Sequence, residues 1–219
     1  MNKYLKELVL WAFIVLPIVY LATIWNNLPE QVPTHFNLQG VADGWLSKNS
    51  LIYIIGALEI GIYLLMLIIP TIDPKNKIQQ MGDKYYILRF ILTFCFSLLA
   101  FHILYSSSEG GIKKPVILFF ILGILIAMLG NYSQTIRPNY FIGIRTPWTL
   151  ENEKVWKNTH SLAGRIWIVC GILIVILGVF IENSQLFSIL FVIILAIMVI
   201  VPVSFSYTEF QKEKRNIQV

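Results

Sequence analysis

Charged side chains are scarce in this sequence, since only 13% of its 219 residues are Asp, Glu, Lys or Arg. An ordinary soluble domain carries about twice that share, so this chain has too few polar groups to cover a soluble surface. Hydrophobic residues make up 57% of the chain, and its mean hydropathy is +0.70. The composition therefore excludes a soluble globular protein and predicts an integral membrane protein.

Cysteine and histidine are also rare, with two and three residues respectively. Cys95 and Cys170 fall within apolar runs without the spacing of a metal site, and we interpret them as packing residues. His160 is predicted on the opposite side of the membrane from His35 and His102, which excludes a three-histidine metal site. The sequence also lacks H-E-x-x-H, G-x-S-x-G and a Gly-rich phosphate loop after a strand. We therefore expect no enzyme activity, no metal and no cofactor.

Long apolar runs are what the sequence has in abundance. Six of them can cross roughly 30 Å of hydrocarbon, at residues 8–25, 51–69, 85–105, 115–130, 165–181 and 186–207. The first follows Lys3 and Lys6 and resembles a signal peptide, but it lacks a clear small-x-small cleavage site, so we interpret it as a retained anchor. The predicted fold is an all-α integral membrane protein with six transmembrane helices.

The distribution of basic residues predicts the orientation through the positive-inside rule. With a cytoplasmic N-terminus, twelve of the 17 Lys and Arg residues lie in inner segments and three in outer ones, while Arg89 and Arg165 lie at helix ends. The basic residues flank apolar runs and form no single patch, so the net charge of +5 does not indicate nucleic acid. We predict that both termini are cytoplasmic and expect no direct nucleic-acid binding.

Two connections are longer than simple turns require, and specific functions often lie in such loops. They are the predicted outer loop, residues 26–50, and the predicted inner loop, residues 131–164. We expect an N-terminal three-helix half at residues 1–105 and a C-terminal three-helix half at residues 106–219. The two loops share their Pro-to-Phe and Gly-to-Trp spacings, which makes an inverted repeat of the two halves one hypothesis.

The inner loop reads GNYSQTIRPNYFIGIRTPWTLENEKVWKNTH over residues 130–160. Pro138 and Pro147 interrupt any helix through its first half. After Pro147, Thr149 is suited to an N-cap, and a short helix along the membrane interface is predicted.

The inner loop contains aromatic and basic residues that are suited to a membrane interface or to ligand binding. Trp148 and Trp156 are expected at headgroup depth, where amphipathic rings are favourable. Arg145 is suited to bind a carboxylate, a phosphate or carbonyls at a helix end. The residues alone leave two interpretations open. The loop is either an aromatic, basic segment at the membrane interface that only sets the membrane topology, or a functional site.

The order of residues in the inner loop, G-N-x7-N-x3-G-I-R-T-P-W-T-L-x5-W-x3-H, resembles the signature loop of the SdpI family of bacterial membrane proteins. We call residues 131–164 the signature loop. The resemblance is carried by Asn131, Asn139, Gly143, Arg145, Thr146, Pro147, Trp148, Thr149, Trp156 and His160.

The outer loop, LPEQVPTHFNLQGVADGW over residues 28–45, resembles the small domain of unknown function that often precedes the SdpI region. Its candidate residues are Pro33, His35, Phe36, Gly40 and Trp45. Together the two resemblances imply a multi-pass protein of the bacterial cytoplasmic membrane that gives immunity to a secreted peptide toxin. They also imply a link to transcriptional control, with a cytosolic repressor as a partner.

Two polar residues within the predicted spans are candidates for an intramembrane site, Glu59 and His102. A charged carboxylate in mid-span costs about 3 kcal/mol unless it is neutral or paired. Glu59 is therefore either a protonated group bonded to a neighbour or part of a binding or proton-sensing site. Helix depth predicts that Glu59 and His102 share one polar cluster in the outer half. Three function classes remain: toxin immunity with sensing, a small transporter or channel, and a signalling scaffold without toxin immunity.

Overall fold

The computed structural model describes residues 2–37, 41–111, 115–181 and 183–217. Within these ranges, six helices are long and apolar enough to cross a membrane. They confirm the predicted all-α multi-pass architecture. The chain therefore has the architecture of a multi-pass membrane protein.

Eight α-helices and two strands follow one another along the described chain. Helix α1 spans Lys3–Ile24 and continues as a tight turn at Trp25–Asn27, and strands β1 and β2 span Gln31–Phe36 and Ala42–Ser47. Helices α2 (Ser50–Gly56) and α3 (Ile62–Ile72) are joined into one rod by a π-helical turn at Ala57–Gly61, and a short 3-10 turn at Gln79–Met81 precedes α4 (Asp83–Ser108). The remaining helices are α5 (Pro115–Ser133), α6 (Pro147–Glu151), α7 (Glu153–Phe180) and α8 (Ser184–Ile217).

Helix α7 begins at Glu153, about three turns before the predicted span at residue 165. Asn152 caps this extension, because its side-chain oxygen accepts hydrogen bonds from the backbone N–H groups of Lys154 and Val155 at 2.9 and 3.1 Å. An N-cap of this kind satisfies backbone donors that a helix end leaves open. The second part of the signature loop is therefore helical.

The outer loop folds into a β-hairpin, which the helix-based reading of the sequence did not predict. Strands β1 and β2 pair antiparallel, with irregular register around His35. Gly44 lies opposite His35, and a Cβ on Gly44 would come within 2.8 Å of the His35 Cβ. Pro33 is tolerated because a two-stranded sheet consists only of edge strands.

The two long loops pack at opposite ends of the bundle. At one end, Val32 of the hairpin is fully buried in an apolar cluster with residues of α1, α2 and α4. At the other end, Ile136 and Trp156 of the signature loop join a cluster with residues of α3 and α4. The hairpin and the irregular first part of the signature loop differ in local structure, so the repeat hypothesis rests on the helices alone. Which end is cytoplasmic remains a prediction from the basic residues.

Helices α5 and α7 approach each other along glycines spaced seven residues apart. Gly123 and Gly130 of α5 lie against Gly171 and Gly164 of α7, respectively. A Cβ on Gly123 would lie 2.6 Å from the Gly171 carbonyl oxygen, so the two backbones are in direct contact. Small residues permit this close packing in a membrane, where apolar burial does not drive helices together.

An ion pair connects three of the spanning segments in the N-terminal half. The carboxylate of Glu7 in α1 accepts hydrogen bonds from Nη1 and Nη2 of Arg89 in α4, at 2.7 and 2.8 Å. Tyr63 of α3 donates its hydroxyl to Glu7 Oε2 at 2.8 Å, and its ring lies 5.3 Å from the Arg89 guanidinium carbon. Sequence reasoning missed this group, because the partners Glu7 and Arg89 are 82 residues apart.

Glu7→Gln is expected to destabilise the fold, because it leaves the Arg89 guanidinium without its counter-charge. Removing one member of a buried pair costs on the order of 3 kcal/mol. The thermal unfolding midpoint of the purified protein in detergent should fall by several degrees. Glu30→Gln is the matched control, because Glu30 pairs with Lys48 at an exposed site and such pairs contribute little. Equal midpoints for the two variants would show that the Glu7–Arg89 pair is dispensable.

Gly171→Ala is expected to push α5 and α7 apart, because the new Cβ would lie 2.5 Å from the Gly123 carbonyl oxygen. Overpacking of this kind costs about 1–3 kcal/mol. Gly56→Ala is the control, since a Cβ there meets nothing within 4 Å and alanine favours the helix. The midpoint should fall for Gly171→Ala and hold or rise for Gly56→Ala; the reverse order would refute the close packing.

Candidate functional site

Asn139 organises the irregular first part of the signature loop. Its buried side-chain oxygen accepts hydrogen bonds from the N–H groups of Phe141 and Ile142, at 2.8 and 2.7 Å. Its amide nitrogen donates to the carbonyls of Arg137 and Ile142, at 2.9 and 3.1 Å. One side chain thus satisfies backbone groups that neither a helix nor a sheet pairs.

His160 of α7 holds the next stretch of the loop. Its Nδ1 donates to the Trp156 carbonyl and its Nε2 accepts the Ile144 N–H, both at 2.9 Å. This pattern requires the tautomer that carries its hydrogen on Nδ1. Gly143 lies against the imidazole with φ of +107°, and a Cβ there would collide with His160 Nε2. Glycine is therefore needed both for the backbone conformation and for the space.

The two tryptophans of the signature loop occupy different environments. Trp156 is 1% exposed, stacks on the His160 ring at 4.0 Å and donates Nε1–H to the Ile136 carbonyl at 2.9 Å. Trp156 therefore packs inside the bundle, because α7 begins early, and headgroup depth stays a prediction for both tryptophans. Trp148 is half-buried, with its ring 5.1 Å from that of Tyr207 in α8.

Thr146, Pro147 and Thr149 begin helix α6. Thr146 is the N-cap, Pro147 lies in the first turn, and the two threonine hydroxyls form a reciprocal capping box. The predicted N-cap, Thr149, lies three residues further on, where its hydroxyl also donates to the Ile144 carbonyl at 2.8 Å. Thr146 Oγ1 lies 3.2 Å from Ser206 Oγ in α8, so the cap also joins the loop to the last helix.

Arg145 and Asn131 are exposed. Arg145 Nη1 donates to the Tyr140 carbonyl within the same loop. Among the described residues, this is the hydrogen bond that the structure shows for the Arg145 guanidinium. It is not the bidentate contact for which arginine is suited. Asn131 takes no part in the hydrogen bonds that the structure describes for the loop.

Among the described residues, two mainly apolar cavities lie beside the loops, one at each end of the bundle. The inner cavity, about 310 Å³, is bounded by α4, α5, α7 and the signature loop, and Gly143 and His160 contribute to its wall. The outer pocket, about 280 Å³, lies between the hairpin and helices α2, α4 and α5. Both have mainly apolar side chains in their walls.

The outer pocket brings together Pro33, Phe36 and His102. His102 is buried, and its Nε2 has no hydrogen-bond partner in the structure. His35 and Trp45 do not join this group: His35 is exposed and pairs with Asp43, and Trp45 is 49% exposed. Gly40, the remaining outer-loop candidate, lies outside the described residues.

Glu59 lies in the π-helical turn and is only 2% exposed. Neither carboxyl oxygen has a hydrogen-bond partner in the structure. Of the two interpretations of Glu59, a hydrogen bond to a neighbouring group is not seen among the described residues. The expected polar cluster is not formed through a hydrogen bond either, because Glu59 Oε1 and Oε2 and His102 Nε2 are all unpartnered.

Six spanning helices with a folded loop and a cavity at each end define a small multi-pass membrane protein. The chain matches the model of the SdpI/YfhL protein family over residues 135–206 and that of a domain of unknown function, DUF1648, over residues 12–60. It is 28% identical over 188 residues to the "Immunity protein SdpI" of Bacillus subtilis (strain 168), an alignment that covers 84% of this chain and 86% of that protein. No solved structure matches the chain. The resemblance to the SdpI family is thereby confirmed, and the match to the family model lies within residues 135–206.

Gly143→Ala is expected to release the Ile144 backbone from His160 while leaving the helices in place, because the new methyl group occupies the position of the imidazole. Hydrogen exchange of the Ile144 amide should become faster, at an unchanged helical circular-dichroism signal. Gly110→Ala is the control: Gly110 also has a positive φ, +74°, but a Cβ there meets nothing within 4 Å. If both variants leave Ile144 equally protected, the close Gly143–His160 contact does not hold the loop.

Proposed function

We propose that this protein is a membrane immunity protein, which protects its cell against a secreted antimicrobial peptide. The observation that carries the proposal is the similarity to an immunity protein over 84% of the chain. That similarity is too extensive to come from the signature loop alone. The apolar, multi-pass architecture fits a protein that meets a membrane-active peptide within the bilayer.

The outer pocket is the place where such a peptide would bind. With the cytoplasmic N-terminus that the basic residues predict, the hairpin and the pocket face the outside of the cell. Pro33 and Phe36 offer apolar contact, and the His102 imidazole in the pocket wall is the polar ring among them. We propose that the pocket receives an apolar or aromatic side chain of the peptide.

We propose that the two halves of the chain have different roles. The N-terminal half, residues 1–105, would bind the peptide, and the C-terminal half, residues 106–219, would carry the response to the cytoplasm. Tyr140 and Arg145 are exposed on the signature loop, and Lys75 Nζ lies 2.9 Å from the Tyr140 hydroxyl. We propose this surface as the docking site of a cytosolic transcriptional repressor. Its peptide-dependent co-purification with the membrane protein is the corresponding assay.

Expression of the protein in a sensitive bacterium should raise the inhibitory concentration of the secreted peptide that is encoded nearest its gene. His102→Phe should lower this protection several-fold at an unchanged membrane level, because the ring volume is kept and the nitrogen is lost. His35→Phe, at the exposed outer histidine, is the matched control and should protect like the parent protein. Absence of protection by the parent protein would refute immunity, whereas full protection by His102→Phe would refute only the pocket assignment.

A small transporter or channel is the second candidate function, and Glu59 is the observation that favours it. A buried carboxyl without a partner in a π-helical turn is typical of functional sites within membranes. Liposomes that contain the protein should then show ion or solute flux, and Glu59→Gln should abolish it. Under the immunity proposal, the same liposomes show no flux and Glu59→Gln protects normally. A signalling scaffold would show repressor co-purification without either flux or protection.

A further inference from the structure

A charged cleft lies between the α3–α4 connection and the signature loop. Its wall consists of Lys77, Gln80, Arg137, Pro138 and Glu153, around a space of about 300 Å³. Three of these residues carry a full charge, and a fourth carries an amide. The charged cleft therefore differs in kind from the two apolar cavities, and its composition favours a ligand that itself carries charge.

The turn that carries Lys77 is fixed by an aspartate. Asp73 is 4% exposed, and its carboxylate accepts hydrogen bonds from the N–H groups of Lys75 and Ile78, at 3.2 and 2.8 Å. Ile78 is fully buried in the apolar cluster at this end of the bundle. The backbone of this turn is therefore held in place, and the Lys77 side chain extends from a defined position.

The other two charged residues also stand on fixed backbone. Asn139 donates a hydrogen bond from its amide to the Arg137 carbonyl at 2.9 Å. Asn152 caps helix α7, of which Glu153 is the first residue. One apolar cluster joins the α3–α4 connection, the signature loop and α7 beneath the cleft. A ligand can therefore bind without having to order the backbone around it, which lowers the entropic cost of binding.

The charges of Lys77, Arg137 and Glu153 are available to a ligand. All three residues are exposed, and among the described residues their charged groups form no hydrogen bond or ion pair. Lys75, in the adjoining recess, is engaged instead: its Nζ lies 2.9 Å from the Tyr140 hydroxyl and 5.0 Å from the centre of that ring. The charged cleft thus presents two cationic groups and one carboxylate.

The signs of these charges limit the ligand. An anion would be attracted by Lys77 and Arg137 but repelled by Glu153, and a cation would meet the reverse. A zwitterion that joins a phosphate to an ammonium group satisfies all three side chains at once. Arginine suits a phosphate through paired hydrogen bonds and lysine as a point charge. A carboxylate accepts hydrogen bonds from an ammonium group.

The position of the charged cleft indicates the source of such a zwitterion. Helix α3 ends at Ile72 and helix α5 at Ser133, so Lys77 and Arg137 lie just beyond the ends of spanning segments. Lipid head groups occupy this level of a bilayer. Basic pockets between the ends of spanning helices bind phosphate head groups. The bilayer itself therefore supplies a ligand of the required chemistry.

We propose that the charged cleft binds the head group of a zwitterionic phospholipid with a primary ammonium group, that is, a phosphoethanolamine head group. Lys77 and Arg137 bind the phosphate, and Glu153 accepts a hydrogen bond from the ammonium group. The lipid belongs to the leaflet at the signature-loop end, which the basic residues predict to be the cytoplasmic one. This site goes beyond the proposed immunity function and shares no residue with the outer pocket.

Native mass spectrometry of the full-length protein tests the proposal with three lipids that have the same acyl chains. Phosphatidylethanolamine should be retained about 2–5-fold over phosphatidylglycerol, the range that an exposed charge pair supplies. It should also be retained over phosphatidylcholine, whose quaternary ammonium has no N–H to donate. Tighter retention of phosphatidylglycerol, or equal retention of all three lipids, would overturn the proposal.

Glu153→Gln should remove the preference for phosphatidylethanolamine over phosphatidylglycerol, because the attraction of the ammonium and the repulsion of an anion are both lost. Glu151→Gln is the matched control, since Glu151 is also exposed but lies outside the wall of the cleft, and it should keep the preference. Glu153 also lies in the first turn of α7, where a carboxylate is favourable, so the helical circular-dichroism signal is compared as well. An undiminished preference in folded Glu153→Gln would contradict the assignment.

Lys77→Gln and Arg137→Gln should each lower the retention of phosphatidylethanolamine about 2–5-fold, because the phosphate loses one of its two cations. Lys157→Gln, at an exposed lysine of α7 outside the wall of the cleft, is the control and should retain the lipid like the parent protein. If Lys77→Gln and Arg137→Gln both behave like this control, the phosphate does not lie in the charged cleft and the proposal fails.

Water-soluble glycerophosphoethanolamine separates the lipid from its free head group. Added at the concentration of the lipid, it should not displace phosphatidylethanolamine, because it lacks the acyl chains that keep a lipid at the end of the bundle. Equal competition by the soluble compound would overturn the assignment of the site to a membrane lipid.

Discussion

The hydrogen bonds of Asn139 and His160 to the loop backbone are the interactions on which the inner end of the molecule depends. Between α5 and α6 the chain has no helix or strand to pair its N–H and C=O groups, so side chains must bond to them instead. Asn139 satisfies one stretch of backbone and His160 the next. The Nδ1 atom of His160 is in turn held by the Trp156 carbonyl, so that helix α7 and the loop form one unit.

The position of the signature loop against α7 depends in turn on the close packing of α5 and α7. The paired glycines bring α5 and α7 into backbone contact, which places His160 of α7 beside the loop that leaves α5. Helix α8 supports the arrangement at two points: the Trp167 indole donates to the Met198 carbonyl at 3.1 Å, and Ser206 lies within hydrogen-bond distance of Thr146. The loop is therefore specified by contacts from three helices rather than by its own residues alone.

Two groups of polar side chains lie inside the bundle. The Glu7 carboxylate accepts hydrogen bonds from Arg89 and Tyr63, and this interaction ties the N-terminal half together. Among the described residues, buried polar atoms without a hydrogen-bond partner are found at Glu59, His102, Tyr132 and Thr159, and also at Nε of Arg89. An unsatisfied polar group is costly in a membrane. Of these residues, Glu59 is the basis of the proposed transport role, and His102 lies in the wall of the proposed peptide pocket.

The sequence by itself determined the class of this protein, its six spans and the location of its two specialised loops. Those features follow from hydropathy and local residue order, which need no knowledge of long-range contacts. The signature loop was recognisable through its resemblance to the SdpI family, and Pro138 and Pro147 indicated where the chain departs from a helix. Only the tertiary structure decided that Trp156 is buried, that Glu7 pairs with Arg89 and that the outer loop is a hairpin. These outcomes depend on partners many residues away, and the packing of the helices, rather than local residue order, decides which partners meet.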